Sequence, residues 1–160
     1  MMNVQILCIG KLKEKYLKDA CEEYAKRLSR YCKFSVTELD EYKTSDNPSQ
    51  SQIDAVIENE GEKIISKLPK NAKIITLCIE GNQKSSEQLA DYISEAAVNG
   101  FCDIVFVIGG SWGLSDKIKA LSDLRLSMSK MTFPHQLARV MLCEQIYRSF
   151  NILNGGKYHK

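Results

Sequence analysis

The chain has 160 residues, 44% hydrophobic and 26% charged, with a formal net charge of +2. That length predicts a single domain over 1–160, one that withdraws roughly 68–70% of its unfolded surface from water. No apolar run approaches the ~18 residues of a membrane helix, and the short N-terminal apolar run precedes its lysines, the reverse of a secretory signal, so a cytoplasmic protein is expected.

"NVQILCIG" (Asn3–Gly10) reads as a buried strand ending in a glycine turn. Leu17, Ala20, Cys21, Tyr24, Leu28 and Tyr31 then recur at three or four residues, which predicts an amphipathic helix. "KFSVTEL" (Lys33–Leu39) alternates as a half-buried strand, and the polar Asp40–Gln52 reads as a long loop. Ile53 to Leu68 is a second helix, weakened at Gly61 and closed by Pro69. "AKIITLCIEG" (Ala72–Gly81) is a buried strand followed by a loop over Glu80–Lys84. Ser85 and Gln88 make a capping box for a helix that stops at Gly100. "CDIVFVIGG" (Cys102–Gly110) is a near-continuous apolar strand, the pattern of a sheet covered on both faces. A short helix in "SDKIKAL", a short strand Leu124–Ser129 and a helix from about His135 to Ile152 complete the chain. Strands and helices alternate throughout, so the fold class is α/β with a mostly parallel sheet covered by helices. Ligands of such sheets sit beyond the carboxyl ends of the strands. The loops Glu80–Lys84, Gly109–Ser115 and Lys130–Pro134 are the candidates.

The six cysteines, at 8, 21, 32, 78, 102 and 143, form no CxxC pair. Paired short spacings are what a zinc site needs, so buried reduced thiols are expected and no metal. Charge is uneven along the chain. Residues 1–33 hold eight basic against four acidic side chains, 34–66 two against eight, 67–100 four of each, and 101–160 eight against four. Two basic ends around an acidic middle can form a polyanion-binding face, or be no more than solvated helix surface.

Three stretches can carry chemistry. "IGGSWGLSD" (Ile108–Asp116) is glycine-rich after a strand but is neither GxGxxG nor a Walker loop. "SKMTFPH" (Ser129–His135) combines apolar walls with scattered polar groups and has no Gly or Asn for a turn. Thr132 is positioned to cap the following helix and Pro134 to open it. Met128, Met131 and Phe133 then either plug the core or wall a slot for a planar ligand. The last helix is apolar around most of its circumference, as in a core or a subunit interface, and is interrupted by Arg139, Glu144, Gln145 and Arg148. The terminal "GGKYHK" would ordinarily fray, yet it carries Tyr158 and His159.

Taken together, "ILCIGKLKEKY", "SSEQLA", "VFVIGGSWGL", "LSMSKMTFPHQLARVMLCEQIYRSF" and the terminal "YHK" resemble the ribosomal RNA large-subunit methyltransferases of the RlmH type, in the SPOUT (α/β-knot) superfamily. The resemblance covers essentially the whole chain. It implies S-adenosylmethionine-dependent methylation of N3 of a pseudouridine in 23S rRNA, a homodimer, and a C-terminal trefoil knot that the usual rules of chain threading would forbid. On matching positions it implies cofactor binding by Leu77, Gly109, Met128, Ser129, Lys130, Met131, Thr132 and Phe133. It implies a base or orienting role for His159 beside Tyr158, with Arg148 stabilising the imide anion. The basic residues Lys11, Lys13, Lys26, Arg27 and Arg30 would hold RNA phosphates. Cys78, Asn82 and Trp112 depart from the family pattern near Gly81 and the entrance loop. Two other functions stay open: a non-catalytic ribosome-binding protein that keeps the fold, and an enzyme that takes a phosphate-bearing nucleotide at the glycine-rich loop.

Overall fold

A computed structural model describes residues 1–160. Five strands, β1 (Asn3–Ile9), β2 (Lys33–Leu39), β3 (Lys73–Gln83), β4 (Asp103–Ile108) and β5 (Leu124–Ser127), alternate with five helices, α1 (Lys15–Leu28), α2 (Gln50–Lys67), α3 (Ser86–Val98), α4 (Asp116–Leu121) and α5 (His135–Leu153). The sheet is parallel throughout, in the order β2-β1-β4-β3-β5.

Alternation along the two central strands divides the core. Val4, Ile6 and Cys8 of β1 with Ile104, Phe106 and Ile108 of β4 face α1, α3 and α5, where Cys21, Leu28, Leu89, Ile93, Leu142, Ile146 and Phe150 complete the larger cluster. Leu7, Ile9, Val105 and Val107 face α2 and α4 and pack with Ile64, Leu114 and Ile118. This is the covered parallel sheet that the continuous apolar runs imply. No helix is long and apolar enough to cross a membrane.

Several expectations need correction. Helix α2 starts at Gln50, inside the segment read as loop, because Ser49 accepts from the Gln52 amide while Gln52 caps Ser49 in return. The helix runs unbroken through Gly61. A Cβ there would stand 2.7 Å from Ser115 Oγ, so the glycine lets α4 approach. The loop placed at Glu80–Lys84 is not one: β3 continues to Gln83, with Asn82 and Gln83 paired to Leu126 and Ser127, and the chain bulges between Leu77 and Asn82 instead. Thr132 caps nothing; Pro134 itself occupies the cap position of α5, with no side-chain cap bond. The tail does not fray but folds back on α5.

Candidate cofactor pocket and C-terminal cluster

A cavity of about 700 Å³ opens at the carboxyl ends of β3, β4 and β5. It lies within the ~300–1,000 Å³ range of small-molecule sites. Half of its twenty lining residues are hydrophobic. The β3 bulge contributes Leu77, Cys78, Ile79 and Glu80; the turn after β4 contributes Gly109, Gly110, Ser111 and Gly113; the segment after β5 contributes Met128, Ser129, Met131, Thr132, Phe133 and Pro134. Seven of the eight expected cofactor residues therefore share one cavity. Lys130 is the exception, exposed and outside the lining.

Local hydrogen bonds explain how a loop without glycine is shaped. Ser127 Oγ donates to the Ser129 carbonyl at 3.0 Å, and Ser129 Oγ accepts from the Met131 amide at 3.0 Å. The serine hydroxyls do the work of a turn residue. The opposite wall is tight because its glycines leave no room. A Cβ at Gly109 would stand 3.0 Å from the Gly113 carbonyl carbon, and Gly113 itself has φ +88°. Gly110 pairs with Gly113, accepting its amide at 3.1 Å. Lys119 of α4 and Glu80 of the bulge form a 2.6 Å ion pair at the rim. The hydrogen bond from Lys119 holds the Glu80 carboxyl below its usual range.

These residues fit a ligand with a flat heteroaromatic group and a flexible chain. Apolar side chains offer walls, and backbone polar groups at three strand ends offer an edge to read. No group of three or more His, Cys, Asp or Glu side chains is disposed to hold a metal.

The expected catalytic residues gather elsewhere. Arg148 donates to Glu144 Oε1 through Nε (2.9 Å) and Nη2 (2.6 Å), and lies 4.7 Å above the Tyr158 ring. Tyr158 donates its hydroxyl to the same carboxylate at 3.1 Å, while its amide donates to Asn151 Oδ1 at 3.2 Å. His159 bridges Arg148 Nη1 (3.0 Å, at Nδ1) and Glu87 Oε1 (2.6 Å, at Nε2). A guanidinium only donates. Nδ1 is therefore the acceptor and Nε2–H the donor to Glu87, which leaves the imidazole no free lone pair in this arrangement. Burial, with Tyr24 and Glu144 beside it, pushes Tyr158 up to about 12, so its phenol stays a donor.

None of the three residues lines the pocket of its own chain. Their partner Glu144 lines a second cavity, about 520 Å³, with Tyr24, Ser86 and Gln145 among others, and that cavity shares Leu126 and Met128 with the first. Sequence reasoning noted the Glu144–Arg148 spacing but missed Glu87 and Glu144 as holders of the tail. The spacing at 144 and 148 was a usable signal, whereas nothing local in the sequence points from Glu87 to a residue 72 positions away.

The five basic residues offered for RNA are all exposed. Lys11 and Lys13 sit after β1, where the Lys13 amide donates to Gln136 Oε1 at 3.1 Å beside the pocket end of α5. Lys26, Arg27 and Arg30 lie near the other end of the molecule, with Arg27 bonded to Glu23 and set over the rings of Tyr24 and Tyr147. Cys78 is buried, Asn82 pairs in the sheet, and Trp112 stands 43% exposed on the Gly110–Gly113 turn outside the lining. All six cysteines are free thiols, five buried and Cys102 exposed.

A pocket built from a bulged strand, a glycine turn and an apolar loop places this chain among the parallel α/β folds with a ligand-sized crevice beyond their strand ends. Comparison with known proteins narrows that class. Residues 2–159 match the family described as "Predicted SPOUT methyltransferase", and the chain belongs to the SPOUT methyltransferase family. It is 50% identical over 159 residues to the Clostridium beijerinckii protein named "Ribosomal RNA large subunit methyltransferase H", and 48% identical to the Clostridioides difficile protein of the same name. Each alignment covers 99% of this chain and 100% of the relative. A Methanococcus maripaludis protein is 52% identical over the same span. A solved structure described as a probable methylase family protein from Haemophilus influenzae Rd KW20 superposes with a TM-score of 0.55 at 10% identity, over 99% of this chain and 71% of that one, a likeness of fold alone.

Proposed function

We propose that this chain is an S-adenosylmethionine-dependent methyltransferase of large-subunit ribosomal RNA, acting on N3 of a pseudouridine in 23S rRNA. One observation carries the reading: the Ser129–Pro134 loop, the glycine turn and the β3 bulge converge on one cavity, in a chain half identical along its whole length to a protein named as a ribosomal RNA large subunit methyltransferase.

The bound donor supplies a sulfonium-activated methyl group. What the protein must do is align the acceptor nitrogen and receive its imide proton. Positioning is worth up to ~7–11 kcal/mol when reactants are well oriented. His159 is the proton acceptor, and Arg148 stabilises the imide anion. In the docked tail both are engaged with each other, so a single displacement frees both. Parting Nδ1 from Nη1 releases a lone pair on the histidine and an N–H on the arginine together. Tyr158, held protonated, donates and orients. In a homodimer the tail of one protomer meets the pocket of its partner, which accounts for the separation of cluster and pocket within one chain. The reading includes a trefoil knot made by the segment after β5, phosphate contacts by Lys11, Lys13, Lys26, Arg27 and Arg30, and a cytoplasmic site of action on ribosomes.

Calorimetric titration with S-adenosylmethionine and, separately, ATP tests the donor. Mass spectrometry of 23S rRNA from ribosomes incubated with protein and donor then tests the acceptor. Binding of the donor but not ATP, at one site per chain or per dimer, and a new methylpseudouridine are expected. ATP binding without donor binding would return the glycine turn to phosphate recognition. No donor binding, with or without ribosomes, would leave an RNA-binding relative that has lost its chemistry.

A further inference from the structure

Glu60 is the acidic side chain that the fold both buries and leaves incompletely partnered. It is 4% exposed, on the inner face of α2. Its Oε2 accepts the Tyr42 amide at 3.0 Å, while its Oε1 is buried without a partner. Above Oε1 lies Gly110: a Cβ there would stand 2.9 Å from that oxygen and 3.1 Å from Ile9 Cγ2. One turn further along α2, Lys63 donates to the Asp40 carbonyl at 3.1 Å. A single face of α2 thus fastens the segment after β2 and supports the turn after β4 from beneath. Gly110 lines the cofactor pocket and Glu60 does not, so the carboxyl group acts on the pocket from behind.

An apolar side chain of similar size would avoid the carboxyl's own desolvation cost and give up only the Tyr42 amide bond. A buried polar group that breaks the satisfaction rule with no local compensation is expected where function requires it.

We propose that Glu60 is a positioning residue for methyl-donor binding: seated under Gly110 and fastened to the Tyr42 amide, its carboxyl group sets the Gly109–Gly113 turn against the pocket and couples that turn to the segment after β2. The inference rests on the methyl-donor reading above. Two charged groups bear on the carboxyl, Glu41 from the segment after β2 and Lys63 from α2, while Ile9 and Gly110 bring none. Burial, the largest influence, pushes it above its usual range, against the pull of the Tyr42 amide and Lys63. The fold therefore favours the neutral acid. Its support is complete below the ordinary carboxylate range and is lost as pH rises through the folded value, where a buried negative charge appears under the turn.

The test uses the full chain with S-adenosylmethionine as probe, titrated calorimetrically across pH, in wild type, Glu60→Gln and Glu60→Leu. Wild-type affinity falls as pH rises above the usual carboxylate range. Glu60→Gln keeps the shape and the Tyr42 bond and loses that component of the pH dependence. Glu60→Leu raises the donor Kd about tenfold and, when turnover on ribosomes is assayed, raises the donor KM by a like factor with kcat within about threefold, the split of a group that shapes binding. Three results overturn the proposal: wild-type affinity in Glu60→Leu, the wild-type pH profile in Glu60→Gln, or a kcat that falls in step with the unfolded fraction while KM stays fixed. A wild type that binds no donor at all overturns the donor reading instead.

Discussion

Arg139 and Arg148 stand nine residues apart on α5 and use their charge in opposite ways. Arg139 is 3% exposed; it donates to Glu38 of β2 at 2.6 Å and to the Gly10 carbonyl after β1 at 3.0 Å. Those partners lie 101 and 129 residues away, so the arginine ties the pocket end of the helix to two strand ends. Arg148 spends its charge on Glu144, one turn back on its own helix, and on the tail. A buried charge with distant, fixed partners cannot trade them without opening the fold. A half-solvated charge held by its own helix and a terminus can. The first kind positions a site, and only the second can take part in one.

Arg139→Ala gives the largest effect. It removes a buried pair and leaves Glu38 at a strand end, and because Glu38 is about a third exposed the loss falls at the lower end, about 3 kcal/mol. An unfolding free energy, from urea denaturation, lowered by less than about 1 kcal/mol would place Arg139 in the exchangeable class and break the contrast. Next comes the pocket wall. Gly109→Ala forces a Cβ to 3.0 Å of the Gly113 backbone and of Leu114, and donor Kd should rise at least about tenfold, about 1.4 kcal/mol. An unchanged Kd by calorimetry would mean the turn is not part of the site. Tyr158→Phe removes one hydrogen bond from the tail, a loss of about 1 kcal/mol or less. The sign for its titration follows from the raised value. The tail's docking is complete below the ordinary tyrosine range and weakens as pH rises through about 12. Hydrogen exchange of the Tyr158 amide reads both.

The layers of the fold were legible because both central strands are continuously apolar and helices such as α1 and α3 carry their period openly. The pocket was legible for a different reason: its residues lie in short contiguous runs, so seven of eight expected positions meet once three strand ends are parallel neighbours. The bulge after Leu77 was not, since it depends on β5 passing so close that a Cβ at Gly81 would stand 2.6 Å from the Arg125 carbonyl oxygen. Nor was Thr132, whose residue type suits a cap that the backbone gives to Pro134. Glu60 hid in a helix that reads as ordinary solvated acid, "ENEGE". Only the folded chain shows which of those carboxylates turns inward.

The smallest effect is expected at the rim. Glu80 and Lys119 meet at 2.6 Å across the mouth of the pocket, with 57% and 24% of their side chains exposed. An exposed pair of this kind is worth ~0.2–1 kcal/mol and is screened by salt. The Lys119 bond holds the Glu80 carboxyl below its usual range, so the pair's contribution is present above that range and lost as pH falls through the folded value. Glu80→Gln should therefore change donor Kd by less than about threefold at neutral pH. The difference from wild type should vanish in high salt and again in acid. A tenfold change that survives salt would show that this pocket, like the tail, works through an exchangeable charge. The distinction between a site built from backbone and a cluster built from ions would then fail at the place where the two ought to differ most.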